Sequence, residues 1–273
     1  MRSAITPLSV RRPRTVSEAL TMLRDDGPLV PLAGATDLYV SLNFGSLAAT
    51  RFVDVWALDS LRRIGMRGDV LSIGALATYT SLTKSRLVKQ RVPMLIDAAR
   101  QIGGVQIQNR GTIGGNIANG SPAGDTLPVV AAVDAVVVAR STSEERRIPF
   151  AEFYTGYRAS VLRADELIVA VEVPPVDGRQ WFRKVGTRAA QAISKVVMAG
   201  VAGDSPRVAL GSVGPVVGRA RATEQALAEG QGIDAAAVVL GNEIAPIDDV
   251  RSTADYRRVV AQNLLRQFWS DTR

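Results

Sequence analysis

The stretch RGTIGGNIANGSPAGD, Arg110 to Asp125, holds five glycines in sixteen positions, and few of its other side chains are large. Glycine opens backbone angles that other residues avoid, and it removes the side chain that would keep a ligand off the main chain. Between the glycines stand short hydrogen-bonding groups: Thr112, Asn116, Asn119, Ser121 and Asp125. The stretch reads as a loop that lets backbone and ligand meet. It is not a dinucleotide fingerprint of the GxGxxG type, and the missing GK[ST] excludes a P-loop. Asp125 has two readings, a cap for the helix that contains Pro128 or an acceptor for ligand hydroxyls.

A second bare stretch lies upstream, PLAGATDL, Pro31 to Leu38. A short apolar strand runs into small residues whose successive N–H groups are able to converge on one anion, as in a phosphate-binding nest. Alone, it is equally a tight turn between strand and helix. Two such stretches in one chain point to an extended ligand with two ends, such as a dinucleotide. The segment Lys84 to Arg110 carries six basic residues and one acid, Asp97, and leads directly into the second stretch. A local positive field there suits an anionic ligand.

Composition narrows the chemistry. The 273 residues are 47% hydrophobic and 22% charged, enough for a sizeable core in one large domain or two moderate ones. With no Cys and no His, the chain cannot form a disulfide, hold a thiolate-ligated cluster or run Ser–His or Cys–His catalysis. A zinc site of the usual kind is excluded as well. A flavin would have to be held non-covalently. The net charge of +7 reads as a dispersed Arg-rich surface, because only four Lys occur and no basic run alternates with aromatics; that argues against a nucleic-acid partner. The apolar run Leu127 to Ala139 is broken by Asp134 and too short to span a bilayer. The first twenty residues lack an apolar signal core, so the expected location is cytoplasmic.

Outward from the two stretches, the pattern predicts a helix over Val16–Arg24 capped by Ser17, strands at Arg51–Ala57 and Asp69–Gly74, and helices opening at Thr78 and Val92. A helix over Thr126–Val133, a strand at Ala135–Ala139, a charged turn at Thr142–Arg147 and a strand at Glu166–Val173 follow. Pro174-Pro175 and Asp177-Gly178 mark the expected domain boundary. Beyond it, QWFRKVGTR, AISKVVMAGVA and RVALGSVGP read as three antiparallel strands, with helices at Thr223–Ala228, Asp234–Leu240 and Tyr256–Trp269.

The segments AGATDL, QNRGTIGGNIANGSPAGDTLPVVAAVDA, DELIVAVEVP and FRKVGTRAAQAISKV occur in an order that resembles the FAD-binding medium subunits of molybdenum hydroxylases, the xanthine dehydrogenase and carbon monoxide dehydrogenase type. The TIGGN…SPAGD combination is the most specific of these matches, and the resemblance runs from the start to Ala202 with a weaker tail. It implies an α+β fold: a two-part FAD-binding domain of the vanillyl-alcohol-oxidase type over residues 1–174, divided near 55, then a smaller domain over 175–273 with an antiparallel sheet and helices.

By that resemblance the chain is an electron-transfer subunit of an oxidoreductase. Partner subunits, a large one with the molybdenum cofactor and a small one with two-iron clusters, complete the assembly, and the acceptor is NAD, a quinone or oxygen. Residues Pro31, Leu32, Ala33, Gly34, Ala35, Thr36, Asp37 and Leu38 would wrap the FAD pyrophosphate. Thr112, Gly115 and Asn116 would meet the other side of the cofactor, and Asp125 would hold adenosine-side hydroxyls. Ile102 and Gly103 would sit near a ring system, Leu167 or Ile168 would pack against one, and Lys184 would reach the flavin's polar edge. The segment from Gly103 to Gly111 would form part of the partner interface. Ala35 stands where many relatives have a second glycine, and Gln108 replaces a common arginine. Lacking cysteine, the chain is not of the subtype with an extra cluster. Two other readings stand beside this one: a stand-alone FAD-dependent oxidase or reductase, and a non-catalytic nucleotide- or polyanion-binding protein.

Overall fold

Three sheets organise the chain, and the computed structural model describes residues 8–189 and 191–273. The opening residues 1–7, part of the segment read for a signal, lie outside the described residues, as does Ala190 in the FRKVGTRAAQAISKV segment. In chain order the first lobe is β1 (Ser9–Arg11), α1 (Val16–Asp25), β2 (Val30–Leu32), α2 (Leu38–Asn43) and β3 (Arg51–Asp54). Its three strands are parallel, in the order β1-β3-β2. Thr15, not Ser17, caps α1 by accepting from the Glu18 N–H at 3.1 Å, while the Glu18 carboxylate reaches back to the Arg14 N–H at 2.6 Å. This is a capping-box arrangement displaced by one residue. Ala19, Leu20 and Leu23 of α1 are buried against Val53, Val55 and Leu61.

The second lobe starts with a hairpin, β4 (Ile64–Arg67) and β5 (Val70–Gly74), of which the sequence pattern showed only the second strand. Six helices follow: α3 (Tyr79–Lys84), α4 (Arg86–Arg91), α5 (Pro93–Arg100), α6 (Val105–Gln108), α7 (Ile113–Asn119) and α8 (Leu127–Ala132). Then come β6 (Val136–Arg140), β7 (Glu145–Pro149), the small pair β8 (Tyr154–Gly156) and β9 (Ala159–Ser160), and β10 (Leu167–Val173). The charged turn is thus shorter than expected, because Glu145–Arg147 already belong to β7. The five-stranded antiparallel sheet has the order β4-β5-β10-β6-β7. Its centre, β10, is buried along its whole length, which explains the unbroken apolar run LIVAV. A bulge between Ile168 and Ala170 switches its faces. Leu167, Val169 and Ala170 pack on the first lobe, whereas Ile168, Val171 and Val173 join the helices of the second.

The C-terminal part holds β11 (Arg179–Val185), β12 (Val196–Ala202), β13 (Arg207–Gly211) and β14 (Gly218–Arg219) as one antiparallel sheet in sequence order. Helices α9 (Arg221–Ala228), α10 (Ile233–Glu243) and α11 (Ala254–Thr272) cover one face. The other face packs on the second lobe. Val196 and Met198 join the core of the C-terminal helices, and Val197, Ala199 and Val201 join the core of the second lobe. With both faces covered, VVMAGVA reads as a continuous apolar strand rather than an alternating one. Gly200 allows the Phe268 ring of α11 to lie on the strand, since a Cβ there would stand 2.6 Å from it.

Candidate functional site

The two glycine-rich stretches meet face to face. The Gly34 backbone rests on the Arg110 carbonyl so closely that a Cβ at residue 34 would overlap it. The Arg110 guanidinium lies 3.8 Å from the centre of the Trp56 ring, and the Arg62 guanidinium lies 4.1 Å from it, so two cations meet one indole. Trp56 follows β3, and this contact ties the first lobe to the segment that carries Gly111 and Thr112.

The first stretch leaves β2 and enters α2. The N–H groups of residues 34–38 donate to no protein acceptor among the described residues. Ala35 has φ 62°, in the left-handed region, which turns this run of donors into a concave surface. Asp37 occupies the N-cap position of α2 without using its side chain as a cap.

The second stretch behaves differently. It is not a loop throughout, because residues 113–119 form α7. Thr112 caps that helix by accepting from Gly115 N–H at 3.1 Å. Ile113 and Gly114 donate to the Ala77 and Ala75 carbonyls at 3.1 and 2.9 Å, and Asn116 donates to Thr112 O at 3.0 Å. Every N–H of the first turn is therefore in use. Gly114 packs on Ala75 and Gly111 on the Tyr79 ring; an added Cβ would come within 2.6 Å of the first and 2.7 Å of the second. Gly115 is the exception: the only atom near its absent Cβ is Oγ1 of Thr112, and the rest of that surface opens to the cleft.

The cleft between these walls has three connected parts. An apolar slot of about 80 Å³ lies between Pro31, Ala33, Gly115, Leu167 and Ile168. A middle chamber of about 390 Å³ is walled by residues Ala33–Leu38 on one side and by Thr112, Gly115 and Asn116 on the other. A far chamber of about 380 Å³ lies between Ile102 and Gly103, the segment Ser121–Asp125, and Ala192 and Ile193 of the C-terminal domain. Thr36, Asp37, Tyr79, Asn116 and Asn119 line both larger chambers and join them. Chambers of this size suit a ligand as long as a dinucleotide.

Fifteen of the seventeen residues read from the sequence line this cleft; Leu32 and Lys184 do not. Lys184 is neither a solvent-facing strand lysine nor open to the cleft. Its ammonium donates to Asp125 Oδ2 at 2.6 Å and to the Gln101 carbonyl at 3.2 Å, and both side chains of the pair are more than nine-tenths buried. Asp125 does not cap α8, whose N-cap Thr126 makes no side-chain cap bond. Its second oxygen, Oδ1, is buried with no hydrogen-bond partner among the described residues. Burial pushes the Asp125 carboxyl up to about 6, against the pull of the Lys184 ammonium and, more weakly, of the nearby Ser194 hydroxyl. Burial, with the nearby Asp37 and Asp125 charges, also pushes the Tyr79 hydroxyl well above its ordinary range.

Tyr79, Ile107 and Ile193 also line the cleft and carry no sequence signal, whereas Asn119 and Ser121, two of the short hydrogen-bonding groups between the glycines, line it as well. Tyr79 reaches the cleft only because Gly111 gives its ring room. Gln108 turns inward, its amide donating to the Arg100 and Ile102 carbonyls at 3.1 Å each, so it fixes the wall that carries Ile102. Of the six basic residues between Lys84 and Arg110, none lines the cleft as outlined; Arg163 stands at its rim. The donors facing the cleft from this side are therefore backbone N–H groups rather than basic side chains.

The profile described as the FAD binding domain in molybdopterin dehydrogenase matches residues 6–176. This chain belongs to that family. The profile of the CO dehydrogenase flavoprotein C-terminal domain matches residues 181–272. The carbon monoxide dehydrogenase medium chain of Hydrogenophaga pseudoflava is 30% identical over 268 residues, covering 93% of each chain. The xanthine dehydrogenase FAD-binding subunit of Escherichia coli O157:H7 is 29% identical, covering 96% of this chain and 95% of that one. A solved structure of the Hydrogenophaga pseudoflava carbon monoxide dehydrogenase superposes with a TM-score of 0.90 at 28% identity, over 95% of both chains. The α+β reading, a two-part FAD-binding fold followed by an antiparallel sheet with helices, stands. The chain is an FAD-binding medium subunit of the molybdenum hydroxylase type, an oxidoreductase component; molybdenum and iron–sulfur centres belong to other subunits of such complexes.

The residues present fit FAD on three structural grounds. The N–H groups of 34–38 have no acceptor among the described residues, as a phosphate nest requires; Gly115 leaves a surface that a Cβ would obstruct; and Asp125 Oδ1 is a buried acceptor with no hydrogen-bond partner among the described residues. Among the described residues no helix is long and apolar enough to cross a membrane.

Proposed function

We propose that this chain is the electron-exit subunit of a molybdenum hydroxylase, receiving electrons from the two-iron clusters of a small partner subunit and passing them to an external acceptor, in a cytoplasmic assembly with a large molybdenum-cofactor subunit. We read the cofactor domain as residues 1–174 and the remainder, 175–273, as the domain that closes the far end of the cleft. Bound FAD supplies the chemistry, accepting electrons singly and releasing them as a pair.

The protein's part is to bind, orient and insulate. The N–H groups of Gly34 to Leu38 neutralise the diphosphate, and Pro31 and Ala33 set the depth of that nest. Thr112 holds the Gly115 turn in place, so that Gly115 presents bare backbone and Asn116 an amide to the ligand. Leu167 and Ile168 supply apolar contact in the slot, and Ile102 with Gly103 does so in the far chamber. Asp125 Oδ1 accepts from a ligand hydroxyl, while Lys184 keeps the carboxylate oriented. Lys184 thus acts on the cofactor through Asp125.

The observation that carries this reading is the continuous cleft with unused backbone donors on one wall and an unpartnered buried carboxylate oxygen at its end. The test is the absorption spectrum of the purified chain, followed by acid release and identification of the cofactor. A yellow protein that yields FAD, with bands near ~370 and ~450 nm, supports it. A colourless protein that takes up no added FAD sinks it.

A further inference from the structure

The floor of the far chamber, residues Pro122 to Asp125, has no helix or strand of its own. The C-terminal domain holds it at three of its four residues. Ser212 N–H donates to the Pro122 carbonyl at 2.8 Å, the Ser194 hydroxyl to the Ala123 carbonyl at 3.3 Å, and the Lys184 ammonium to Asp125 at 2.6 Å. Gly211 completes the fit, since a Cβ there would come within 2.8 Å of Pro122 O.

Ser212 is the pivot of this latch. It is a non-glycine residue with φ 64°, a conformation that costs free energy and persists only where surrounding contacts dictate it. All its polar groups are engaged: its N–H with Pro122, its hydroxyl with the Ser194 carbonyl at 3.0 Å, and its carbonyl as acceptor from Arg257 Nη1 at 2.8 Å. The Ser194 and Ser212 hydroxyls are themselves 3.0 Å apart. Arg257, from α11, is 4% exposed. Its Nη1 also meets the Lys195 carbonyl at 3.3 Å, and its Nη2 meets Asp249 Oδ1 at 2.6 Å. One buried guanidinium thus grips both strand ends that carry the latch serines.

We propose that Ser212 and Arg257 are positioning residues for the cofactor cleft: through the latch they set the place of Gly124 and Asp125 without touching the ligand. This rests on the reading that the cleft holds FAD. A serine in the left-handed region is tolerated there because the floor of the site needs its N–H, hydroxyl and carbonyl in three fixed directions. A guanidinium serves where an ammonium would not, because its fork reaches two carbonyls and a carboxylate at once.

The experiment uses the full chain freed of cofactor, titrated with FAD, with the thermal midpoint of each cofactor-free variant measured in parallel. Ser212→Gly relaxes the backbone but deletes the hydroxyl. The expected result is a midpoint equal to or above wild type together with an FAD Kd raised about fivefold. Arg257→Lys is expected to raise Kd about tenfold. The double variant is expected to lose less than the product of the two, since both act through one floor segment. A purely structural role for Ser212 would leave Kd unchanged as the midpoint rises, and that result overturns the proposal; so do multiplicative losses in the double variant. If Arg257→Lys does not fold, the Ser212→Gly result decides alone. Wild-type protein that binds no FAD would refute the reading of the site instead; wild type that binds while the variants match it refutes the latch only.

Discussion

Two glycine-rich stretches face each other across the cleft, and they use their glycines in opposite ways. Residues 34–38 donate their N–H groups to no acceptor among the described residues. Residues 113–116 have every N–H satisfied, by Ala77, Ala75 and Thr112. In the first stretch, Gly34 is spent on contact with Arg110 so that the donors beyond it face the cleft. In the second, Gly111 and Gly114 are spent on packing against Tyr79 and Ala75, and Gly115 alone opens to the ligand side. A high glycine count therefore does not by itself mark a phosphate nest. A nest needs donors that the protein leaves free, and a wall whose donors are already satisfied can offer a ligand only its shape.

Substitution at Gly34 is expected to do the most damage, because the two stretches touch there. Gly34→Ala forces a Cβ into the Arg110 carbonyl, separating the two stretches. Such a clash is expected to cost about 3 kcal/mol or more and to abolish FAD retention. Denaturant unfolding and cofactor content of the purified variant check both. Gly114→Ala should divide the two properties. Overpacking on Ala75 is expected to cost about 1–3 kcal/mol of stability, while the folded fraction still binds FAD with a Kd near wild type. A lost affinity there would show that the second stretch contributes donors after all.

Asp125 sharpens the comparison through pH. Its folded carboxyl is raised from 3.8 to about 6, so the folded state binds the proton more tightly than the unfolded chain does. Its contribution to stability is present in full below the lower value and declines as pH rises through that window. Asp125→Asn should remove this dependence, and unfolding midpoints measured from pH 4 to pH 7 check it. The Lys184 ammonium faces the carboxylate directly and Tyr79 lies nearby, so the variant also leaves a buried cation unpaired and lowers stability at all pH values. The smallest effect is expected at Ala35. Its φ of 62° favours glycine, so Ala35→Gly should relieve strain and gain up to about 1 kcal/mol, with FAD affinity unchanged.

Much of the cleft was legible because it is built from short, locally recognisable segments. AGATDL and the TIGGN…SPAGD segment supply most of its walls, and three apolar segments after the Pro174-Pro175 boundary located the main strands of the C-terminal sheet. What escaped has a physical reason in each case. Residues 113–119 looked like a loop because glycine disfavours helix, but Thr112 caps them and the Ala75 and Ala77 carbonyls take their first donors. The cap of α1 was placed on Ser17, although the bonding hydroxyl belongs to Thr15, two residues earlier. The Lys184–Asp125 pair joins residues far apart in sequence on different domains, and no local pattern announces it. Tyr79 and Ile193 enter the cleft through packing alone.

The central claim is that the diphosphate of FAD is held by the free donors of residues 34–38 and not by the first turn of α7. Residue-resolved amide hydrogen exchange of the cofactor-free chain, before and after adding FAD, tests it most directly. Gly34 to Leu38 are expected to exchange fast without FAD and to become protected when it binds, with 113–116 protected in both states. Unchanged exchange at 34–38 together with new protection at 113–116 would contradict it.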